Sequence, residues 1–109
     1  MHHQTTLTKE SLTAFSDDAP SQAARFLKSL SHADRLKVLC TLLDGEMQVA
    51  AIEAQVGASQ SAVSQHLTRL KDEGIVKSRR DGRRILYSIA DPTALRIIEV
   101  LYYRFCSRD

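Results

Sequence analysis

The sequence predicts a mainly α-helical domain with one β-hairpin near its C-terminal end. Apolar residues recur at the α-helical period along most of the chain. A turn at Gly57-Ala58 joins a short helix to a longer helix with a polar face, and an Asp81-Gly82 turn separates two strand-like segments. A short helix, a tight turn, a polar-faced helix and a hairpin together indicate a winged helix-turn-helix fold.

Periodicity and end signals divide the N-terminal part of the chain. Residues 1–19 are interpreted as a tail with a short dimerisation helix over about 8–15, and residues 20–109 as the winged helix-turn-helix domain. The segment Asp17–Pro20 separates the two. A helix over 21–30 is expected to bury an apolar stripe formed by Ala23, Phe26, Leu27 and Leu30.

The helix that follows is the predicted core helix. Ser31 is its expected N-cap, with Asp34 three residues on as an approximate capping box, and it is expected to end near Asp44-Gly45. Its apolar residues are too numerous for a surface helix: Leu36, Val38, Leu39, Leu42 and Leu43. A short helix over about 49–56 then leads into the turn at Gly57.

The helix after this turn has the pattern of a recognition helix, with Ser59 as its expected N-cap and Gly74 as its stop. One apolar stripe is formed by Val63, Leu67 and Leu70. Another face carries Ser61, Ser64, Gln65 and Thr68. Small neutral hydrogen-bonding groups suit a helix that enters the major groove and meets base edges. A helix selected only for solubility would more often carry Glu and Lys there.

The hairpin is expected to close on Asp81-Gly82 as a two-residue type I′ turn. This register would place Arg80 opposite Arg83, and Arg79 opposite Arg84. Like charges directly opposite one another destabilise a sheet, so four arginines around one turn favour a polyanionic partner. The alternative is a charged hairpin that is merely solvated.

The final helix is expected to begin at Asp91-Pro92, with Asp91 as the cap and Pro92 in the first turn. Its apolar residues are Leu95, Ile98, Leu101, Tyr102 and Phe105. So much apolar surface on a terminal helix requires something to pack on. The intramolecular core is one choice, and the twofold partner of a homodimer is the other.

Composition and charge set the remaining bounds. The chain has 109 residues, 43% hydrophobic and 26% charged, which is ordinary for one soluble domain. The net charge is +2, but residues 66–86 contain seven basic and three acidic residues, so that segment is +4 and the remainder −2. No apolar run resembles a membrane span or a signal peptide, so a cytoplasmic protein is expected.

These patterns predict two kinds of contact with double-stranded DNA. Phosphates are expected to be engaged by Lys77, Arg79, Arg80, Arg83 and Arg84. Base edges are expected to be approached by Gln60, Ser61, Ser64 and Gln65, with Thr68 and Arg69 near the backbone. A winged-helix module that binds a protein is the alternative, and binding without salt dependence would favour it.

Three motifs resemble the ArsR/SmtB family of winged-helix repressors. They are Leu30-Ser31-His32-Ala33-Asp34-Arg35-Leu36, the run Ser59-Gln60-Ser61 through Ser64-Gln65-His66-Leu67, and the arginine-rich Asp81-Gly82 wing. The resemblance covers roughly residues 20–106. It implies a homodimer built on the first and last helices, which binds an inverted-repeat operator and is released by an inducer.

The metal sites known in that family are not matched here. One uses cysteines on the short helix, where residues 46–53 contain neither cysteine nor histidine. The other uses histidines on the last helix, where Asp91 and Glu99 are present but no histidine follows His66. Soft and borderline metals prefer thiolate or imidazole ligands, so we expect no metal site and no cofactor. For His66 a packing or phosphate role is favoured over metal ligation.

The chain has two cysteines, Cys40 in the core helix and Cys106 three residues from the C-terminus. Either could be a buried structural residue, and spacing does not show that they meet. This placement resembles the dithiol branch of the family, the sulfide- and persulfide-responsive repressors of the BigR and SqrR type. The resemblance implies sensor thiols: the reduced protein binds DNA, and reactive sulfur species (persulfides, polysulfides) link the thiols by a di- or polysulfide bridge.

Three alternatives stay open. Peroxide or another electrophile could be the trigger. The protein could be an ArsR-type repressor that responds to a metal or a general oxidant, with structural cysteines. It could also be a thiol enzyme that uses Cys106, although neither thiol has a Cys-x-x-Cys partner or a plausible histidine, so we expect no enzyme.

Overall fold

The computed structural model describes residues 18–106, which form five helices and three strands. In chain order these are α1 (Ala19–Leu30), α2 (Ala33–Thr41), β1 (Met47–Gln48), α3 (Val49–Val56), α4 (Gln60–Asp72), β2 (Val76–Asp81), β3 (Arg84–Ile89) and α5 (Pro92–Phe105). The predicted fold class is confirmed, with α3 and α4 as the helix-turn-helix and β2–β3 as the wing. The helix predicted over about 8–15 lies outside the described residues. None of the described helices is long and apolar enough to cross a membrane.

The predicted start and end of α4 and the predicted start of α5 are confirmed. The Ser59 hydroxyl accepts a hydrogen bond from the Ala62 N–H at 3.1 Å, and the Asp91 carboxylate accepts one from the Ala94 N–H at 2.9 Å. At the end of α4, Gly74 has φ +77°, where a side chain would be strained. The Gly74 N–H donates to the Lys71 carbonyl at 2.9 Å. These ends are specified by short-range bonds, which is why the sequence predicts them.

The start of α2 differs from the prediction by one residue. Ser31 belongs to the end of α1, where its N–H donates to the Lys28 carbonyl at 3.1 Å. The N-cap of α2 is His32, whose Nδ1 accepts a hydrogen bond from the Asp34 N–H at 3.1 Å. His32 has the extended backbone that an N-cap requires, with φ −107° and ψ 132°.

The predicted buried stripe of α1 is only partly correct. Leu30 is buried and Phe26 packs against the core, whereas Ala23 is exposed and Leu27 is 54% exposed. Only the C-terminal end of α1 therefore meets the core of this chain. The outer part of the stripe has no covering element among the described residues.

The prediction that α2 is the core helix is confirmed. Val38, Leu39 and Leu42 are buried, and Leu36 and Leu43 pack against the core at its edge. The buried cluster also includes Leu30, Ile52, Val56, Val63, Leu67, Leu70, Ile75, Val76, Ala94 and Ile98. α2 contacts α3, α4 and α5, so it packs directly against the recognition helix.

The register predicted for the wing is wrong. Asp81 pairs with Arg84, Arg80 with Ile85 and Arg79 with Leu86, so the two loop residues are Gly82 and Arg83. Gly82 has φ +65°, and among residues 18–106 only glycines have a positive φ, which is the pattern of a type II′ turn with glycine first. The type I′ turn would have needed a positive φ at Asp81 as well. The opposed arginine pairs predicted from the sequence do not exist.

The sheet has the antiparallel order β1-β3-β2. β1 was not predicted, since its two residues, Met47 and Gln48, are too short to show a strand pattern. They pair with Tyr87 and Leu86 and attach the wing to the start of the helix-turn-helix unit.

Candidate nucleic-acid interface and cysteine cleft

The recognition helix α4 presents the face that the sequence predicts. Val63, Leu67 and Leu70 are buried. The candidate DNA-contact residues of this helix are all exposed: Gln60, Ser61, Ser64, Gln65, Thr68 and Arg69. Most of them line one open cleft of about 650 Å³. A polar, exposed face on a helix anchored by its opposite face is the arrangement needed to meet base edges.

Arg35 completes this cleft and was not among the predicted DNA contacts. It lies in α2, and its Nη1 donates a hydrogen bond to the Ser29 carbonyl at 3.0 Å. An adjoining cleft brings Arg25 and Lys28 of α1 beside Arg35 and Arg69. The positive surface therefore extends beyond residues 66–86 to the junction of α1 and α2. No spacing in the sequence indicates this extension, because only the fold brings the two segments together.

The five basic residues of the wing fall into two groups. Arg79 forms a bidentate ion pair with Glu46 of the loop before β1, at 2.9 Å from Nε and 2.5 Å from Nη2. The hydrogen bond from Arg79 lowers the pKa of the Glu46 carboxyl. Arg84 donates to the Asp81 carboxylate at 2.6 Å. Lys77, Arg80 and Arg83 have no acidic partner within residues 18–106.

The two cysteines line one cleft of about 880 Å³. Cys40 is half-buried near the end of α2, and Cys106 is exposed as the C-cap of α5. Burial raises the pKa of the Cys40 thiol, and the negative charge of a Cys106 thiolate raises it further. Because the thiolate is the nucleophile, the raised pKa makes Cys40 less reactive than an ordinary thiol, whereas its exposure makes Cys106 the more accessible of the two.

The residues predicted for dimerisation are divided between core and surface. Ile98 is buried, Leu95 and Leu101 are half-buried, and Tyr102 and Phe105 are exposed. Val100 and Tyr103, which the sequence analysis missed, extend the exposed face, with 67% and 70% of their surface accessible. A helix face that exposes several large apolar side chains next to one another usually belongs to an interaction surface.

Comparison with known proteins identifies the family. The model of the bacterial regulatory protein, arsR family, matches residues 32–78, from the N-cap of α2 into β2. The HTH-type transcriptional regulator YgaV of Escherichia coli is 46% identical over 87 residues, which are 78% of this chain and 87% of that protein.

Two solved structures have the same fold. The transcriptional repressor BigR from Xylella fastidiosa has a TM-score of 0.78 and 35% identity, covering 94% of this chain and 100% of that one. A homodimeric winged helix-turn-helix DNA-binding domain from Mycobacterium bovis has a TM-score of 0.69 and 33% identity, and the match covers 84% of this chain and 87% of that one. Similarity of this extent in both sequence and fold means that the chain belongs to the arsR family of bacterial regulatory proteins.

Proposed function

We propose that this protein is a homodimeric repressor that binds an inverted-repeat DNA operator while Cys40 and Cys106 are reduced. Reactive sulfur species release the operator by joining the two thiols through a di- or polysulfide bridge. The observation that carries this proposal is the cleft that both cysteines line, since the two thiols are 66 positions apart in the sequence and this spacing gives no reason for them to meet.

DNA binding follows from the polar face of α4 and the cations around it. Ser61, Ser64 and Gln65 can approach base edges, while Arg80 and Arg83 of the wing are available to phosphates because neither is held by a described carboxylate. In a homodimer the two recognition helices would enter successive major grooves, which matches an inverted repeat. The exposed apolar face of α5 is the proposed dimer surface.

The chemistry begins at Cys106, the more accessible thiol. Its thiolate attacks the outer sulfur of a persulfide R–S–SH, so that a new S–S bond forms at Cys106 and R–S⁻ leaves. The Cys40 thiolate then attacks the inner sulfur of this protein persulfide and releases HS⁻, which leaves a disulfide. Two thiols are oxidised, and the persulfide is reduced to R–SH and hydrogen sulfide. If Cys40 also carries a persulfide when it attacks, the product is a trisulfide.

The bridge would reach DNA binding through α2. Cys40 lies in this helix, and Val38 and Leu39 next to it pack in the same core as Val63 and Leu67 of the recognition helix. Cys106 ends α5, so the bridge would join the C-terminal ends of two helices that hold the recognition helix and the proposed dimer face. A close-packed core does not deform continuously, so a shift of α2 would displace α4 as well.

The test compares the reduced wild-type protein with Cys40→Ser and Cys106→Ser. DNA binding is followed by fluorescence anisotropy, with a duplex that the wild-type protein has selected from random sequence. We expect glutathione persulfide to release the wild-type protein and dithiothreitol to restore binding, whereas both variants remain bound. Release of either variant by the persulfide would refute the dithiol mechanism. Failure of the reduced protein to select any duplex would refute the DNA-binding function itself.

A further inference from the structure

The structure brings three metal-binding side chains together outside the cysteine cleft. His32 is the N-cap of α2, Asp34 lies in the first turn of the same helix, and His66 lies on the recognition helix. One ligand atom from each lies within 4.8 Å of the other two. The His66 Nε2 is 4.0 Å from the Asp34 Oδ2, and the two imidazole rings are 4.8 Å apart. The sequence pattern around His66 favours a packing or phosphate role and does not indicate this cluster.

The spacing is compatible with a metal after a small contraction. Tetrahedral zinc with bonds of about 2.0–2.1 Å needs ligand atoms about 3.4 Å apart. The largest separation would have to close by about 1.4 Å. His32 is exposed, so its side chain has room to make this movement, while His66 and Asp34 are half-buried and already close.

The surroundings determine which ion would bind. Burial of His66 is the main cause that lowers the pKa of its imidazole, the positive charge of Arg35 adds to it, and Asp34 opposes this effect. A lowered pKa keeps the imidazole neutral, which is the form that binds a metal. The positive charges of Arg35 and Arg69 disfavour ions that are bound mainly by electrostatic attraction. Two imidazoles and one carboxylate therefore favour borderline ions over calcium or magnesium.

Binding would compete with the cap of α2. The His32 Nδ1 accepts the hydrogen bond from the Asp34 N–H. If Nδ1 bound the metal, it could no longer accept this bond. If Nε2 bound the metal, Nδ1 would carry the ring proton and could not accept it either. Metal binding would thus replace one local bond at the start of α2 with a link between α2 and the recognition helix.

We propose that His32, Asp34 and His66 bind one divalent transition-metal ion of the zinc, nickel or copper class, and that this ion fastens the recognition helix to the start of α2. The site is distinct from the dithiol cleft and does not depend on the operator or on the sulfur chemistry. It would leave at least one coordination position for water, because the protein supplies three ligands.

Cobalt provides the test, because its visible absorption reports the ligands around it. The chain has four histidines and two cysteines, so the background variant carries His2→Gln, His3→Gln, Cys40→Ser and Cys106→Ser. In this full-length background the only remaining histidines are those of the proposed site. We expect cobalt absorption that saturates at one ion per chain and disappears when zinc is added.

Single substitutions then identify the ligands. His32→Asn preserves a good N-cap, and His66→Gln and Asp34→Asn remove the other two ligands without adding charge. We expect each to weaken cobalt binding by about tenfold or more, while Asp44→Asn at the other end of α2 leaves it unchanged. Circular dichroism establishes that each variant is folded. Cobalt binding that is equal in His66→Gln and its parent, or that never saturates, would overturn the proposed site.

Discussion

The ion pairs of the wing predict that two arginines of the same hairpin contribute differently to DNA binding. Arg83 lies in the turn without a described acidic partner, whereas Arg79 is held by Glu46 through two hydrogen bonds. Arg83→Gln and Arg79→Gln change the net charge equally, so any long-range electrostatic effect is the same for both. Only a direct phosphate contact should distinguish them.

The magnitude follows from counterion release. Each phosphate contact adds about 0.9 to the magnitude of the slope of log K against log salt. Arg83→Gln removes one contact from each protomer, so the magnitude of the slope should fall by about 1.8 in the homodimer. Between 50 and 200 mM salt this corresponds to a salt effect that is roughly twelvefold smaller than in the wild type. For Arg79→Gln we expect less than half of that change, since its guanidinium is already occupied by Glu46.

The assay is fluorescence anisotropy on one duplex over that salt range, with circular dichroism as the check on folding. A slope that changes equally in Arg79→Gln and Arg83→Gln would show that the Glu46 pair does not keep Arg79 from DNA. A slope that changes in neither variant would show that the wing does not contact phosphates. Either result would refute the assignment of phosphate contacts.

Three further predictions concern the recognition helix and its surroundings. Ser59→Ala removes the N-cap of α4 and should lower the free energy of unfolding by about 1 kcal/mol in urea denaturation, with Ser61→Ala as a neutral control on the exposed face. Gln65→Ala should reduce discrimination between the selected duplex and a scrambled one without changing the salt slope, and an unchanged ratio of the two affinities would contradict its role at base edges. The pKa of His66 is lower in the folded chain than in the unfolded chain. At a pH just below the ordinary pKa of histidine, the unfolded chain therefore binds more protons than the folded chain. Stability in the presence of EDTA should therefore fall as the pH drops below about 6.5, and His66→Gln should reduce that slope; an identical slope in both proteins would contradict it.

Elements with short-range signals were predicted well from the sequence. The bounds of α3, the caps at Ser59 and Asp91 and the stop at Gly74 depend on a few neighbouring residues. The inward stripe of α4 follows from helical periodicity. The wing register was also within reach of the sequence, because the type II′ turn pairs Asp81 with Arg84 and avoids the opposed arginines that the type I′ turn would create.

The remaining features depend on contacts between distant segments. Glu46 and Arg79 are 33 positions apart, and no sequence pattern predicts that they form an ion pair. His32 and His66 meet only because α2 packs on α4, and Cys40 and Cys106 share a cleft only because α5 lies beside α2. The stripe of α1 was misjudged because its pattern shows an apolar face without showing whether the same chain covers it.

The most direct test of the dithiol mechanism is intact mass spectrometry of the wild-type protein treated with glutathione persulfide, with operator binding measured in the same samples. We predict the loss of both free thiols in step with release of DNA, with a mass that is two hydrogens lower for a disulfide and that also gains whole sulfur atoms for a trisulfide or a longer bridge. A bridge without added sulfur, formed equally with peroxide and oxidised glutathione, would indicate a general redox repressor. Free thiols in protein that has already released DNA would contradict the mechanism.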